Sequence, residues 1–97
     1  MNFGTKLIHS SGDIDIATGS VSTPIYQTST FHQFDINNFG KYDYSRSGNP
    51  TRDVLENLIS ELEGGVRGFA FSSGMAAICS VLSLFSAGDH IIICGDV

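Results

Sequence analysis

The chain has 97 residues, of which 41% are hydrophobic and 15% charged, and its formal net charge is −5. That length suits one small domain or part of a larger one, and the balance is globular rather than disordered. Nucleic-acid backbones call for a basic surface, so a general nucleic-acid binder is excluded and any anion site must be local.

The opening stretch MNFGTKLIHSSGDID has no apolar run long enough for a signal peptide, and a cytoplasmic protein is expected. Residues 1–49 carry little periodicity and are rich in Ser, Thr, Asn and Gly, so no helix longer than about two turns is expected there. An unstructured stretch of that length is uncommon inside a compact domain. Yet Tyr26, Phe31, Phe34, Phe39, Tyr42 and Tyr44 are too many large apolar groups for a floppy tail. The expectation is an extended arm that packs its aromatics on another surface, a second subunit included.

At Asn49 the pattern changes. NPTRDVLENLISELEGG offers a capping Asn, a Pro at the first helical position, and Asp53 and Glu56 near the start. Val54, Leu55, Leu58, Ile59 and Leu62 recur at helical spacing, and Gly64 and Gly65 permit the left-handed turn that ends a helix. Arg52 and Glu56, four apart, are expected to be a surface pair of little energetic weight. GFAFS then predicts a short buried strand, SSGMAAICSVLSLFSAGD a helix from near Ser73 to Gly88, and HIIICGDV a second strand. The helix is apolar on nearly every side and the Ile91–Ile93 run is continuous, so both need cover on more than one face, as in a parallel sheet flanked by helices. Strand, helix, strand is then a right-handed crossover unit.

Between Gly68 and Gly88 lie 21 residues without a charge, nominally enough to span a bilayer. Five serines and the SSG break favour a strand, a turn and a buried helix instead, so no membrane span is expected. Cys79 and Cys94 form no CxxC and have no His at zinc spacing; they are expected as buried free thiols. His9, His32 and His90 share no metal spacing, and no metal site is expected. Two strands cannot bury their own faces. The expectation is the front end of a larger α/β protein, incomplete as given, with an arm over 1–49 and the start of an α/β domain over 50–97.

Two stretches carry chemistry. FSSGMAA joins the expected strand to a helix whose unpaired N–H groups and partial positive charge suit a phosphate; Gly74 leaves the backbone bare, and Ser72 and Ser73 can add hydroxyl donors. Alone, this is also ordinary capping chemistry. YDYSRSGNPTR puts two tyrosines and two arginines within eleven residues, enough to clamp an anion or merely to decorate a loop. Neither GxGxxG nor GxxxxGK is present.

In order and spacing, YDYSRSGNPTR, LEGG, FSSGMAAI and GDHIIICGDV together resemble the Cys/Met-metabolism family of pyridoxal-phosphate enzymes, and TGSVSTPIYQTSTF looks like its N-terminal arm. The resemblance runs from Thr5 to Val97. It implies an aspartate-aminotransferase-like (fold type I) large domain, of which this chain holds the arm and the first helix–strand–helix–strand. It implies that Gly74 and Met75, with Ser73, hold the phosphate of pyridoxal 5'-phosphate at a helix N-terminus. It also implies that Tyr44 and Arg46 reach the same phosphate of a neighbouring subunit, in a homotetramer built from active dimers. The guanidinium fork suits two phosphate oxygens at once. Asp43 matches the acidic residue that relatives acting on cystathionine place there for the distal ammonium. That favours a cystathionine γ-synthase or γ-lyase over a methionine γ-lyase, with an O-acetylhomoserine sulfhydrylase as a further alternative.

The chemistry of this family needs a lysine that bonds the cofactor and later moves protons. The only lysines, Lys6 and Lys41, lie in the arm and match no such position, so no catalytic residue is expected in this chain and it is expected to be inactive alone. The reading from a different class is a short non-catalytic protein whose loop binds phosphate or a partner.

Overall fold

The computed structural model describes residues 2–9 and 14–96. In chain order the described residues form three helices: α1 (Phe3–His9), α2 (Pro50–Leu62) and α3 (Gly74–Leu82). The described residues contain no strand, only one isolated antiparallel bridge between Thr30 and Tyr44.

The arm is less extended than its composition suggests. It starts with α1, about two turns long, capped by Asn2, whose side-chain oxygen accepts from the Thr5 N–H at 2.9 Å. Lys6 then reaches Glu61 near the end of α2 at 3.2 Å. Farther on, Ser29–Phe31 runs antiparallel to Asp43–Ser45, with Phe31 N–H donating to Asp43 O and Ser45 N–H to Ser29 O, each at 2.8 Å. Inside the loop so closed, the Gln33 amide donates to Tyr42 O at 2.8 Å and accepts from Gly40 N–H at 2.7 Å. The aromatics divide: Phe34 and Phe39 are 92% and 71% exposed, while Phe31 and Tyr42 are half-buried with ring centres 5.5 Å apart. Hydrogen bonds, more than apolar packing, give the arm its shape.

Helix α2 forms as its caps dictate. Asn49 is extended at the N-cap and accepts from Thr51 N–H, and Pro50 starts the helix. At the other end Gly64 turns with φ of +65°, which a side chain would resist. Segment 67–70 then passes close against α2. A Cβ at Gly68 would run into the backbone carbonyl of Glu56, so only glycine permits this approach.

The expected strands and the length of the last helix are corrected. Residues 68–72 and 90–96 make no ladder hydrogen bonds, and Val97 lies outside the described residues. Helix α3 ends at Leu82, short of Gly88. Its last turn tightens through Leu84 N–H to Val81 O and Phe85 N–H to Leu82 O, and Gly88 turns the chain at φ of +102°.

Burial explains why. Among the described residues no apolar side chain is buried; the one buried residue is Asn49, 9% exposed. The radius of gyration is 17.5 Å, against about 13 Å for a compact domain of this size. The accessible surface is 8212 Å², against about 5,400 Å² for a folded monomer of this mass. A strand that needs cover on both faces finds none within these residues, so the expected pairing does not form. Cys79 and Cys94 are free, as expected, but exposed rather than buried. Phe69, Phe71, Ala77, Ser80, Val81 and Leu84 line an open apolar groove beside α3. No described helix is long and apolar enough to cross a membrane.

Candidate anion site

The tip of α3 is built from Ser73, Gly74 and Met75. Ser73 is the N-cap, and its hydroxyl oxygen accepts from Ala76 N–H at 3.1 Å. The Ser73 hydroxyl is therefore an acceptor within its own helix, with its proton still available to point outward. The two preceding N–H groups, of Gly74 and Met75, donate to no protein acceptor among the described residues. A Cβ at Gly74 would meet nothing within 4 Å, and its φ is not positive. Neither packing nor conformation requires glycine there; what the missing side chain leaves bare is access to two free donors at the positive end of a helix. A doubly charged phosphate fits that donor set. The Met75 side chain fills no gap, being 65% exposed. The described residues hold no cluster suited to a metal.

The Tyr44–Ser47 turn presents the second set of groups. Ser47 and Gly48 N–H both donate to Tyr44 O, at 2.9 and 3.0 Å, which puts Arg46 at the tip. The Arg46 guanidinium lies 5.3 Å from the centre of the Tyr44 ring and donates to its hydroxyl at 3.3 Å. Both residues are exposed. Among the described residues their polar ends bond only to each other, not to α3.

The turn is held from behind. Asn49 donates to Tyr26 O and to the Ser45 hydroxyl, each at 3.0 Å, while its oxygen caps α2. The Ser45 hydroxyl in turn donates to Thr28 O. Arg52 corrects the expectation of an idle surface pair. Its guanidinium donates to Ser45 O at 2.9 Å and to Arg46 O at 3.2 Å, the two central carbonyls of the turn. Its Nε lies 3.5 Å from Glu56 Oε1, and that same oxygen accepts from Ala70 N–H at 2.9 Å. Sequence spacing showed the pair but not these carbonyls, because a fork of five donors is seldom satisfied by one carboxylate.

Just upstream, Lys41 Nζ and the Tyr42 hydroxyl both reach Asp53 Oδ2, at 2.8 and 2.7 Å. Partial burial works to raise the Asp53 pKa, but the bonds from Lys41 and Tyr42 outweigh it and hold the carboxyl below its usual range. Burial, helped by the neighbouring carboxylate, pushes the Tyr42 phenol up. The Lys41 amine is raised by its contact with Asp53, so it stays charged. That is the reverse of the lowered pKa that makes a lysine a nucleophile. Lys6 is paired with Glu61. Asp43 is exposed, and its Oδ1 accepts from the adjacent Tyr44 N–H at 2.7 Å.

The family described as Cys/Met metabolism PLP-dependent enzyme matches residues 4–97. A cystathionine beta-lyase of Lactococcus lactis subsp. cremoris is 63% identical over 96% of this chain and 24% of its own length. The crystal structure of a cystathionine gamma-lyase from Lactobacillus plantarum complexed with L-serine is 57% identical, with a TM-score of 0.82 over 93% of this chain and 23% of that one. That of a cystathionine gamma synthase from Xanthomonas oryzae pv. oryzae in complex with aminoacrylate and cysteine is 43% identical, with a TM-score of 0.80 over 86% of this chain and 21% of that one. The chain thus spans about a quarter of the length of the relatives it matches.

Proposed function

Because the chain belongs to the Cys/Met metabolism family of pyridoxal-phosphate-dependent enzymes, we propose that the whole protein breaks a carbon–sulfur bond of cystathionine. One observation carries this reading. An open helix tip with two free N–H donors coexists with an outward-facing Arg–Tyr pair, in a chain 63% identical to a cystathionine beta-lyase. That relative favours β-elimination. The γ-synthase reading keeps support from the Xanthomonas enzyme at 43% identity and is the second reading.

Pyridoxal phosphate, when bound, supplies an electron sink for bond breaking beside the substrate amine. The residues of this chain bind and orient. The N–H groups of Gly74 and Met75 and the Ser73 hydroxyl hold phosphate oxygens, and the α3 dipole favours the charge by about 0.3–1 kcal/mol. Arg46 adds a charge-assisted bond of about 1.5–3 kcal/mol, and Tyr44 adds a hydroxyl. Tyr44 and Arg46 serve the neighbouring subunit in a homotetramer of active dimers; in support, the pair sits at an exposed turn tip and bonds nothing of its own α3. Asp43 receives the distal ammonium of cystathionine through its second carboxylate oxygen. The bonding lysine comes from outside these residues, since Lys6 is engaged by Glu61 and Lys41 by Asp53.

Products from cystathionine separate the readings. The whole protein with pyridoxal phosphate is expected to release pyruvate and homocysteine. Release of 2-oxobutyrate and cysteine would mark a γ-lyase, and formation of cystathionine from an acylated homoserine and cysteine a γ-synthase. Cystathionine left intact, whether methionine is turned over instead or cystathionine is only formed, would overturn the proposal.

A further inference from the structure

The Arg52–Glu56 pair joins two parts of the site that share no hydrogen bond among the described residues. On one side is the turn that carries Arg46; on the other is the segment that runs through Ala70 into the Ser73–Met75 tip. Arg52 grips the Ser45 and Arg46 carbonyls at 2.9 and 3.2 Å. Both are turn carbonyls, and neither is used by the Tyr44–Ser47 turn bonds, which close on Tyr44 O. Glu56 Oε1 takes the Arg52 Nε at 3.5 Å and the Ala70 N–H at 2.9 Å. Both side chains are largely withdrawn from solvent, 31% and 15% exposed. Gly68 permits the approach that brings Ala70 within reach. Exposed pairs four apart on a helix contribute little because water competes for both charges. Here each charge also holds backbone, and a guanidinium is the one side chain able to hold two carbonyls and a carboxylate in one plane.

We propose that Arg52, locked by Glu56, is a positioning residue for phosphate binding. It sets the angle at which Arg46 leaves its turn and fixes that turn relative to the segment feeding the α3 tip. In an oligomer where Arg46 serves a neighbour, the finger given away and the tip retained are then set by one ion pair. The inference rests on the proposed role of Arg46.

The test measures equilibrium binding of pyridoxal phosphate, and separately of inorganic phosphate, to the whole protein stripped of cofactor. Four forms are compared: wild type, Arg46→Gln, Arg52→Gln and the double variant. Loss of a charge-assisted contact predicts about 10- to 100-fold weaker binding for Arg46→Gln. Arg52→Gln is expected to weaken binding about tenfold, and Arg52→Lys nearly as much, because one ammonium cannot hold both carbonyls. The double variant is expected to match Arg46→Gln within about a factor of two, since Arg52 acts through Arg46. If Arg52→Gln weakens binding equally with and without Arg46, the role is merely structural and the proposal falls. If Arg46→Gln leaves phosphate binding unchanged, the underlying reading of Arg46 fails first, and visibly so. Should Arg52→Gln not fold, Glu56→Gln is compared in the same cycle; it must weaken binding only while Arg46 is present.

Discussion

Residues 23–56 and residues 67–96 lie side by side in one chain and are stabilised in opposite ways. The first region is wired by side-chain hydrogen bonds, several of them between residues more than twenty apart in the sequence. Asn49 alone joins Tyr26, Ser45 and Thr51; Thr51 accepts from Tyr26 N–H and donates to Pro24 O; and Asp53 gathers Lys41 and Tyr42. Among the described residues the second region has one long-range hydrogen bond, Glu56 to Ala70, and leaves Phe69, Ile78, Val81, Leu84 and Ile92 between 52% and 89% exposed. A hydrogen bond is pairwise and directional, so it is complete once its two partners meet, however far apart they lie in the sequence. Apolar burial is collective and needs layers on both sides of a sheet. The turn that carries Arg46 is therefore held within the first region, while the α3 tip sits in the region left without cover.

The largest effect should come where the regions touch. Gly68→Val drives a branched side chain into the Glu56 carbonyl, and backbone cannot yield as a flexible side chain does. A loss of about 3 kcal/mol is expected in denaturant unfolding of the whole protein; a neutral result would mean that the regions are not held this closely.

Next comes Asn49→Ala. A cap alone accounts for about 1 kcal/mol, but this buried amide also serves Tyr26 and Ser45, so about 2–3 kcal/mol is expected. Asn49→Asp sharpens the point: it keeps the cap acceptor but sets a second acceptor against the Tyr26 carbonyl, so it should fall below wild type although its cap is intact. In the cofactor-free protein Ser73→Ala, in the other region, has only a cap to lose, about 1 kcal/mol in denaturant unfolding.

The smallest effect concerns pH. Asp53 has its pKa below the unfolded value of about 3.9. Its stabilisation is thus present above about pH 4 and fades as pH falls through the folded-state value. Lys41 is 72% exposed, so less than about 1 kcal/mol is involved. Asp53→Asn should remove that acid-dependent part of the unfolding curve; an unchanged slope between about pH 5 and 2 would show that the Lys41–Asp53–Tyr42 contact is idle.

What could be read in the sequence follows the same division. Helix α2 was legible to its caps, since Asn49, Pro50 and Gly64 act on neighbours along the chain. The α3 start was legible at Ser73 and Gly74 for the same reason. The arm's wiring was not, because Asn49 to Tyr26 or Thr51 to Pro24 spans more than twenty residues with no periodicity to mark it. Helix α1 escaped notice because seven residues are too few for a pattern. The strands over 68–72 and 90–97 were read from composition, which reports the environment a segment needs and not whether its own chain provides it. Spacing alone marks Arg52 and Glu56 as a surface pair; only the carbonyls and the Ala70 N–H around them show what they hold.

Subunit mixing tests the division of the anion site between neighbours most directly. Arg46→Gln lacks the finger; Gly74→Val blocks the tip without a clash in its own chain. Each alone should bind pyridoxal phosphate poorly and turn over cystathionine slowly. Unfolded and refolded together, they should regain both properties, because one site in each mixed dimer pairs an unaltered tip with an unaltered finger. If the mixture stays as weak as its parents while mixed dimers demonstrably form, finger and tip belong to the same chain, and the account is contradicted.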